Sequence, residues 1–360
     1  MIETERYMSP VWAEREYFHM KKQVLIHAIA ALTVVCMLCG SLMGCGTMKT
    51  PFIPSDRAVM SQEVYTFGSY TYQLYDDDTV LLVDYSGNET NLVIPDTIDG
   101  KTVTGIGNGA FLSNTAIQSV KLNKSLETIE AYAFCACTSL TQVTFGTKIW
   151  RIGEMAFEET PWLVGQTDDF VVVGDSVLIK YQGKSNDVVI PDGIKHISSA
   201  FGAHPSLVSV EMGADVLTVG DYAFAYTPTL RRVILGENVT RIGNYAFDGC
   251  TYLPNIRIPD RVETIGNYAF NDCNYLVEIS LGSSLREIGQ YAFKYCSRLM
   301  SVTMPATVER IASYAFADCY SLTLVYYGGT QEQFDALGLE GSNVHLKEAH
   351  IIYESNGGLR

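Results

Sequence analysis

Positive charge is scarce in this 360-residue chain: 25 lysines and arginines stand against 40 aspartates and glutamates, a net charge of −15. A nucleic-acid binder needs a basic footprint to neutralise phosphates, so that class is excluded. Charged residues together reach only 18%, below the usual quarter. Residues 1–45 hold four basic side chains (Arg6, Arg15, Lys21, Lys22) and four acidic ones (Glu3, Glu5, Glu14, Glu16), so the whole excess lies after residue 45. Such acidity favours solubility and names no partner. Histidine is sparse too. Beyond His19 and His27, only His196, His204, His345 and His350 remain, and none stands in a recognisable relation to a serine or cysteine nucleophile. No P-loop or dinucleotide fingerprint occurs. Asp76-Asp77-Asp78 lacks the Asp-x-Asp-x-Asp-Gly pattern of a calcium loop and reads as a solvated turn. No catalytic residue, metal ligand or cofactor is expected.

What is present begins with an address. From Met20 the chain runs MKKQVLIHAIAALTVVCMLCGSLMGCG, a basic start, an apolar run and a small-residue end, which together describe a secretory signal. Leu42-Met43-Gly44-Cys45 resembles the bacterial lipobox. That resemblance implies lipid attachment at Cys45, removal of residues 20–44 and an exported, lipid-anchored protein. The competing reading is an uncleaved anchor, because Val24 to Met43 is nearly long enough to span a bilayer. Residues 1–19 are read as preceding the true start at Met20.

The dominant feature is a period. The phenylalanines of successive Ala-Phe pairs fall at 111, 134, 157, 201, 224, 247, 270, 293 and 316, with gaps of 23 throughout except one of 44. A fixed period in this range signals a solenoid. Apolar residues recur five before Phe (Ile242, Ile265, Ile288; only Ile197 is one short), six after it (Leu253, Leu276, Leu299) and, in eight of the nine units, nine after it (Ile256, Ile279, Val302). Leu276-x-x-Ile279-x-Leu281 is the strand core of a leucine-rich repeat. Each unit is predicted to place a short strand on one side and to return through the IGxxAF stretch, where one helical turn aims Ile265, Ala269 and Phe270 inward. Stacking then builds the core that no unit has alone. Nine units at roughly 4.8 Å each give a rod or shallow arc about 45 Å long.

The run from Cys250 to Phe270, CTYLPNIRIPDRVETIGNYAF, resembles the BspA-like class of leucine-rich repeats. The likeness covers roughly residues 64–354. It implies an α/β solenoid, a leucine-rich repeat horseshoe or arc of nine to ten 23-residue units with terminal caps. The expected organisation is 45–63 lipidated Cys and linker, 64–104 N-terminal cap, 105–325 repeats and 326–360 C-terminal cap. An irregular hairpin unit is expected at 158–200, where Asp169 to Tyr181 reads as two strands around Gly174-Asp175. The preferred form is an in-line hairpin that continues the solenoid. Known relatives are mostly bacterial or protozoal surface proteins, some of which bind host matrix proteins or other bacteria.

Two repeated columns invite chemistry. Cys137, Cys250, Cys273, Cys296 and Cys319 each follow a Phe by three residues, and the column also accepts Asn, Thr and His. A line of thiols does not converge as zinc requires, so these are structural groups, with disulfides the less favoured alternative. The tyrosines at 132, 222, 245, 268, 291 and 314 are expected to pack against one another in preference to forming a sugar-stacking stripe. The glycine of IG is replaced at Glu130, Ser198 and Ala312, which argues against an obligatory positive φ.

The positions eight and ten residues after Phe alternate with the core and change from unit to unit. Their densest group is Arg232, Ile234, Asn255, Arg257 and Glu278. The arginines are suited to acidic groups on a partner, or to pairing with Glu278 and Glu211. The expected function is adhesion by a monomer to a protein or glycan on host or neighbouring cells, with the membrane reached only through the lipid anchor. The alternative is a spacer of the cell envelope without a dedicated ligand.

Overall fold

The structure, a computed structural model, describes Val59, residues 63–339 and residues 343–354. The leader and Cys45 lie outside the described residues. The expected solenoid is present, and each regular turn carries two short strands. The first is the predicted one. Asn255–Arg257, Glu278–Ser280, Ser301–Met304 and Leu324–Tyr327 pair in parallel, with Ile256 opposite Ile279 and Ile279 opposite Val302. This face sheet is interrupted before Asn255–Arg257. Pro254 sits where Arg231, Val277 and Met300 each donate an amide to the preceding turn, and proline has no N–H to give.

The second strand is two residues long and holds the β-branched residue five before Phe, four before it at Ile197. His196–Ile197, Thr218–Val219, Arg241–Ile242, Thr264–Ile265, Glu287–Ile288 and Arg310–Ile311 form a parallel return sheet. The residue after that position, the second of IGxxAF, is glycine for closeness. A Cβ at Gly266 would lie 2.6 Å from the amide nitrogen of Asn244, while its φ stays out of the left-handed region.

The chain then turns where a helical turn is expected. Tyr222, Tyr245, Tyr268, Tyr291 and Tyr314 have φ between 55° and 62°, and such residues cannot continue a right-handed helix. Positive φ recurs four residues on, at Tyr226, Gly249, Asp272, Tyr295 and Asp318. Alternate amides of this corner reach the following turn, from Tyr245 to Asn267 O (2.9 Å), Phe247 to Ala269 O (2.7 Å) and Gly249 to Asn271 O (2.9 Å). Those between close local turns, as Asp248 does on Tyr245 O (3.2 Å). The corner's amides are thus satisfied without helix. The described helices, Pro161–Val164, Gln331–Ala336 and Val344–Glu348, lie outside the regular turns.

Inside, Phe201, Phe224, Phe247, Phe270, Phe293 and Phe316 stack with centroids 4.9–5.3 Å apart and are buried. Phe316 has no further turn to receive its amide; buried Asn343 accepts it through Oδ1 (3.0 Å) and donates Nδ2 to Ala312 O (3.1 Å). At the other end, the antiparallel strands Tyr65–Phe67, Tyr70–Leu74 and Val80–Tyr85 join the parallel stack through Lys101–Ile106.

Within the irregular segment, Phe170–Val173 and Val177–Tyr181 form an antiparallel hairpin whose turn contains Gly174 and Ser176 at positive φ. Val177–Tyr181 pairs in parallel with His196–Ile197, so the hairpin occupies a place in the return sheet. Its turn is seated on the preceding unit by the Asp175 amide, which donates to Ile149 O at 2.7 Å. The buried apolar residues divide here into two clusters, one ending at Val177 and the other beginning at Leu178.

Candidate binding face

The five residues singled out in the sequence lie on successive strands of the face, Arg232 and Ile234 on one side of the interruption and Asn255, Arg257 and Glu278 on the other. Arg232, Asn255, Arg257 and Glu278 are exposed and Ile234 is half-buried. Asn255 stands opposite Glu278, and Arg257 opposite Ser280. Arg257 does not pair with Glu211 or Glu278. Its guanidinium lies 3.1 Å from Glu237 and 3.9 Å from Asp260, because the loop that follows each face strand brings its carboxylates alongside. This exposed pairing contributes little to stability, but it reduces the charge that Arg257 offers outward.

The tyrosine column is a packed ladder. Tyr222, Tyr245, Tyr268, Tyr291 and Tyr314 stack with centroids 4.7–5.0 Å apart and interplanar angles of 5° to 26°. Neighbouring rings cover one another's faces, so a pyranose has only their edges to meet. Burial, the largest cause, raises the Tyr222 and Tyr245 phenols, the latter to about 12.

The cysteine column is a hydrogen-bond ladder. Cys250, Cys273, Cys296 and Cys319 each direct Sγ to the carbonyl of the Phe one turn earlier, at 3.1–3.3 Å. Thr227 makes the same bond to Phe201 O (3.1 Å), which explains why the column tolerates threonine. The six described cysteines are buried, and the five of the ladder are not joined in disulfides. Burial pushes the Cys137 and Cys319 thiols up to about 12, and a thiol held protonated is a poor nucleophile. Among the described residues, no group of three or more His, Cys, Asp or Glu side chains is placed to hold a metal ion.

His196 is buried, lies 3.0 Å from the Thr218 hydroxyl and is lowered to about 4, chiefly by burial. Asp76-Asp77-Asp78 is a turn: Asp77 accepts from the Thr79 amide and hydroxyl, and Asp78 pairs with Lys101. No described helix is long and apolar enough to cross a membrane.

Sequence reasoning missed the edge where the corner meets the face strand. Here Arg231 lies over the Tyr252 ring (5.1 Å to the centroid), Tyr252 is 4.9 Å from Tyr275, and Arg298 lies over Tyr275 (4.0 Å). Tyr252, Tyr275 and Arg298 share the position five after Phe in successive turns, but that column reads Thr229 before them and Ser321 after them, and Arg231 joins the row from two positions further along the preceding turn, so the column alone does not display it.

The sequence model for the BspA type leucine rich repeat region, in six copies, matches residues 85–170, 104–231, 173–251 and 217–343. Among solved structures, a leucine rich cell surface protein from Faecalibacterium prausnitzii is similar at 20% identity over 78% of this chain and 99% of its own, with a TM-score of 0.36. The pneumococcal vaccine antigen PcpA is similar at 16% identity over 81% of this chain and 99% of its own, with a TM-score of 0.43. A leucine-rich repeat protein from Bacteroides ovatus shares 19% identity over 80% and 99% of the two chains, with a TM-score of 0.30. Comparison with curated proteins gives no match.

Proposed function

The chain belongs to the BspA-type leucine-rich repeat family, and from that premise we propose an exported surface protein, lipid-anchored at Cys45, that adheres to a protein or glycan through its face sheet. The observation that carries the reading is the contrast between columns. Phe, Ala and Ile positions repeat and are buried, whereas Arg232, Ile234, Asn255, Arg257 and Glu278 differ from turn to turn and stand together on exposed strands. A fold does not assign a function, so the variable positions must. The lipobox-like Leu42-Met43-Gly44-Cys45 supports the anchor.

The test is a pair of charge reversals, Arg232→Glu and Arg257→Glu, assayed for adhesion to host matrix proteins and to bacterial surfaces. Adhesion should fall by about tenfold or more, the scale of losing charge-assisted contacts. Unchanged adhesion removes this patch, and a wild-type protein that adheres to nothing returns the chain to the spacer role. Metabolic labelling with a lipid precursor, lost in Cys45→Ser, checks the anchor separately.

A further inference from the structure

We infer that the row Arg231–Tyr252–Tyr275–Arg298, at the edge between corner and face sheet, is a docking site for an acidic segment of a partner protein. It adjoins the five face residues, Arg231 preceding Arg232 and Val277 preceding Glu278, but does not depend on the reading of that face.

Three observations converge on the row. The first is unneutralised charge. Arg151, Arg241, Arg257, Arg286 and Arg310 all lie within ion-pair range of carboxylates. Arg231 and Arg298, both exposed, have no carboxylate in that range among the described residues; Arg232 and Arg261 share that lack, but it is Arg231 and Arg298 that lie over aromatic rings. On a chain of net charge −15, two cations left open at one edge are suited to an acidic partner.

The second is orientation. Each guanidinium lies over a tyrosine ring. Stacking restrains the side chain and leaves N–H groups at the rim of the guanidinium for a carboxylate fork, so less freedom is lost on binding. Because the two rings are neighbours and each arginine reaches inward from a flanking turn, the row spans about three turns, or roughly 14 Å.

The third is composition. Tyr252 and Tyr275 are exposed, as are Val277, two residues after Tyr275, and Met300, two residues after Arg298. The Met300 amide donates to Val277 O, so these two residues adjoin in successive turns. Tyrosine, arginine and methionine beside open apolar surface is the make-up of protein-binding hot spots. A glycan would use the arginines and rings but has no use for Val277 and Met300. An acidic segment with interspersed apolar side chains uses all six residues.

The experiment measures fluorescence anisotropy of a labelled short peptide that alternates glutamate pairs with leucine, titrated with the full chain. The same peptide with glutamine for glutamate and a labelled heparin oligosaccharide serve as comparison probes. The acidic peptide should bind at least about tenfold more tightly than its glutamine version, with an affinity that falls as salt rises. Arg231→Glu with Arg298→Glu should weaken it by about tenfold or more, and Tyr252→Leu with Tyr275→Leu should weaken it in the same direction. Arg232→Glu with Arg257→Glu, which changes charge beside the row without touching it, should weaken it clearly less than the Arg231/Arg298 change. Unchanged far-UV circular dichroism establishes that each variant is folded. No binding by the wild-type chain overturns the proposal. So does equal binding after the Arg231/Arg298 change, equal weakening by the Arg232/Arg257 change, or tighter binding of the oligosaccharide than of the peptide.

Discussion

Replacing Phe270 by alanine tests how far one turn's packing reaches. Its ring is fully buried and stacked between Phe247 at 5.1 Å and Phe293 at 5.3 Å. Phe→Ala in a core costs about 3–5 kcal/mol. Both ring partners here are rigid members of the same stack, and each aromatic pair adds about 0.5–1.5 kcal/mol, so the expected loss is about 4 kcal/mol. In a solenoid, that loss falls mainly on the two interfaces the residue shares with its neighbours. The core also divides between Val177 and Leu178, with Phe270 well inside the second cluster. Native-state hydrogen exchange should therefore accelerate by about a thousandfold for amides that open with residues 178–349, since about 1.4 kcal/mol is a factor of ten. Protection of the first cluster should change by less than about tenfold. A uniform loss of protection over both clusters would refute the division, and a cost below about 2 kcal/mol would refute the stack as a source of stability.

Asp221→Ala should destabilise by about 2–3 kcal/mol in urea titration. The change removes the partner of Arg241 (3.5 Å) and Arg151 (3.6 Å) and the acceptor of the Asn244 amide (2.7 Å). Asp221→Asn, which keeps the amide acceptor, should recover part of the loss. Cys137, Cys250, Cys273, Cys296 and Cys319 should resist maleimide at pH 8 in the native protein and react in denaturant, because burial raises all five thiols; native labelling at any of them, located by mass spectrometry, counts against the ladder. His196 titrates near 4 when folded, against 6.5 for the free side chain. The unfolded chain therefore takes up its proton first, and the neutral ring's contribution is whole above about pH 6.5 and lost as pH falls toward 4. That loss should amount to about 2–3 kcal/mol between pH 7 and pH 4, read as the stability difference between wild type and His196→Gln at each pH.

The 23-residue ruler was legible in the sequence because buried columns admit few substitutes: Leu276, Ile279 and Phe270 are fixed by volume, and their spacing survives in every regular turn. The second strand was hidden by its length. Thr264–Ile265 is too short for an alternation at period two to appear. The left-handed tyrosines were hidden by preference, since positive φ is the habit of glycine and asparagine; at Tyr268 the stacked neighbours offset that cost. The asparagine of IGNYAF was equally opaque. Asn244 Oδ1 accepts the Asn267 amide (2.8 Å) and Asn267 Oδ1 accepts that of Gln290 (2.7 Å), so the repeated Asn belongs to the scaffold. The Arg–Tyr row escaped notice because the column five after Phe changes from Tyr252 and Tyr275 to Arg298, and Arg231 joins it from another column of the preceding turn.

Charge shows where such a scaffold can carry specificity. In a parallel stack each side chain sits beside its counterpart in the next turn, so a column of like charges would repel itself. The return sheet meets this by alternating sign: Arg286 pairs with Glu309 and Glu287 with Arg310, while Arg151 and Arg241 share Asp221. Charges arranged in this way are already satisfied and have little to offer a ligand. On the face sheet Arg257 is partly satisfied in the same manner. At the Arg231–Arg298 edge the counter-ion is replaced by an aromatic ring, which holds the cation in place without neutralising it. Unlike the ion-paired arginines of the return sheet, these two therefore keep their attraction for an outside carboxylate, and recognition should depend on them more steeply.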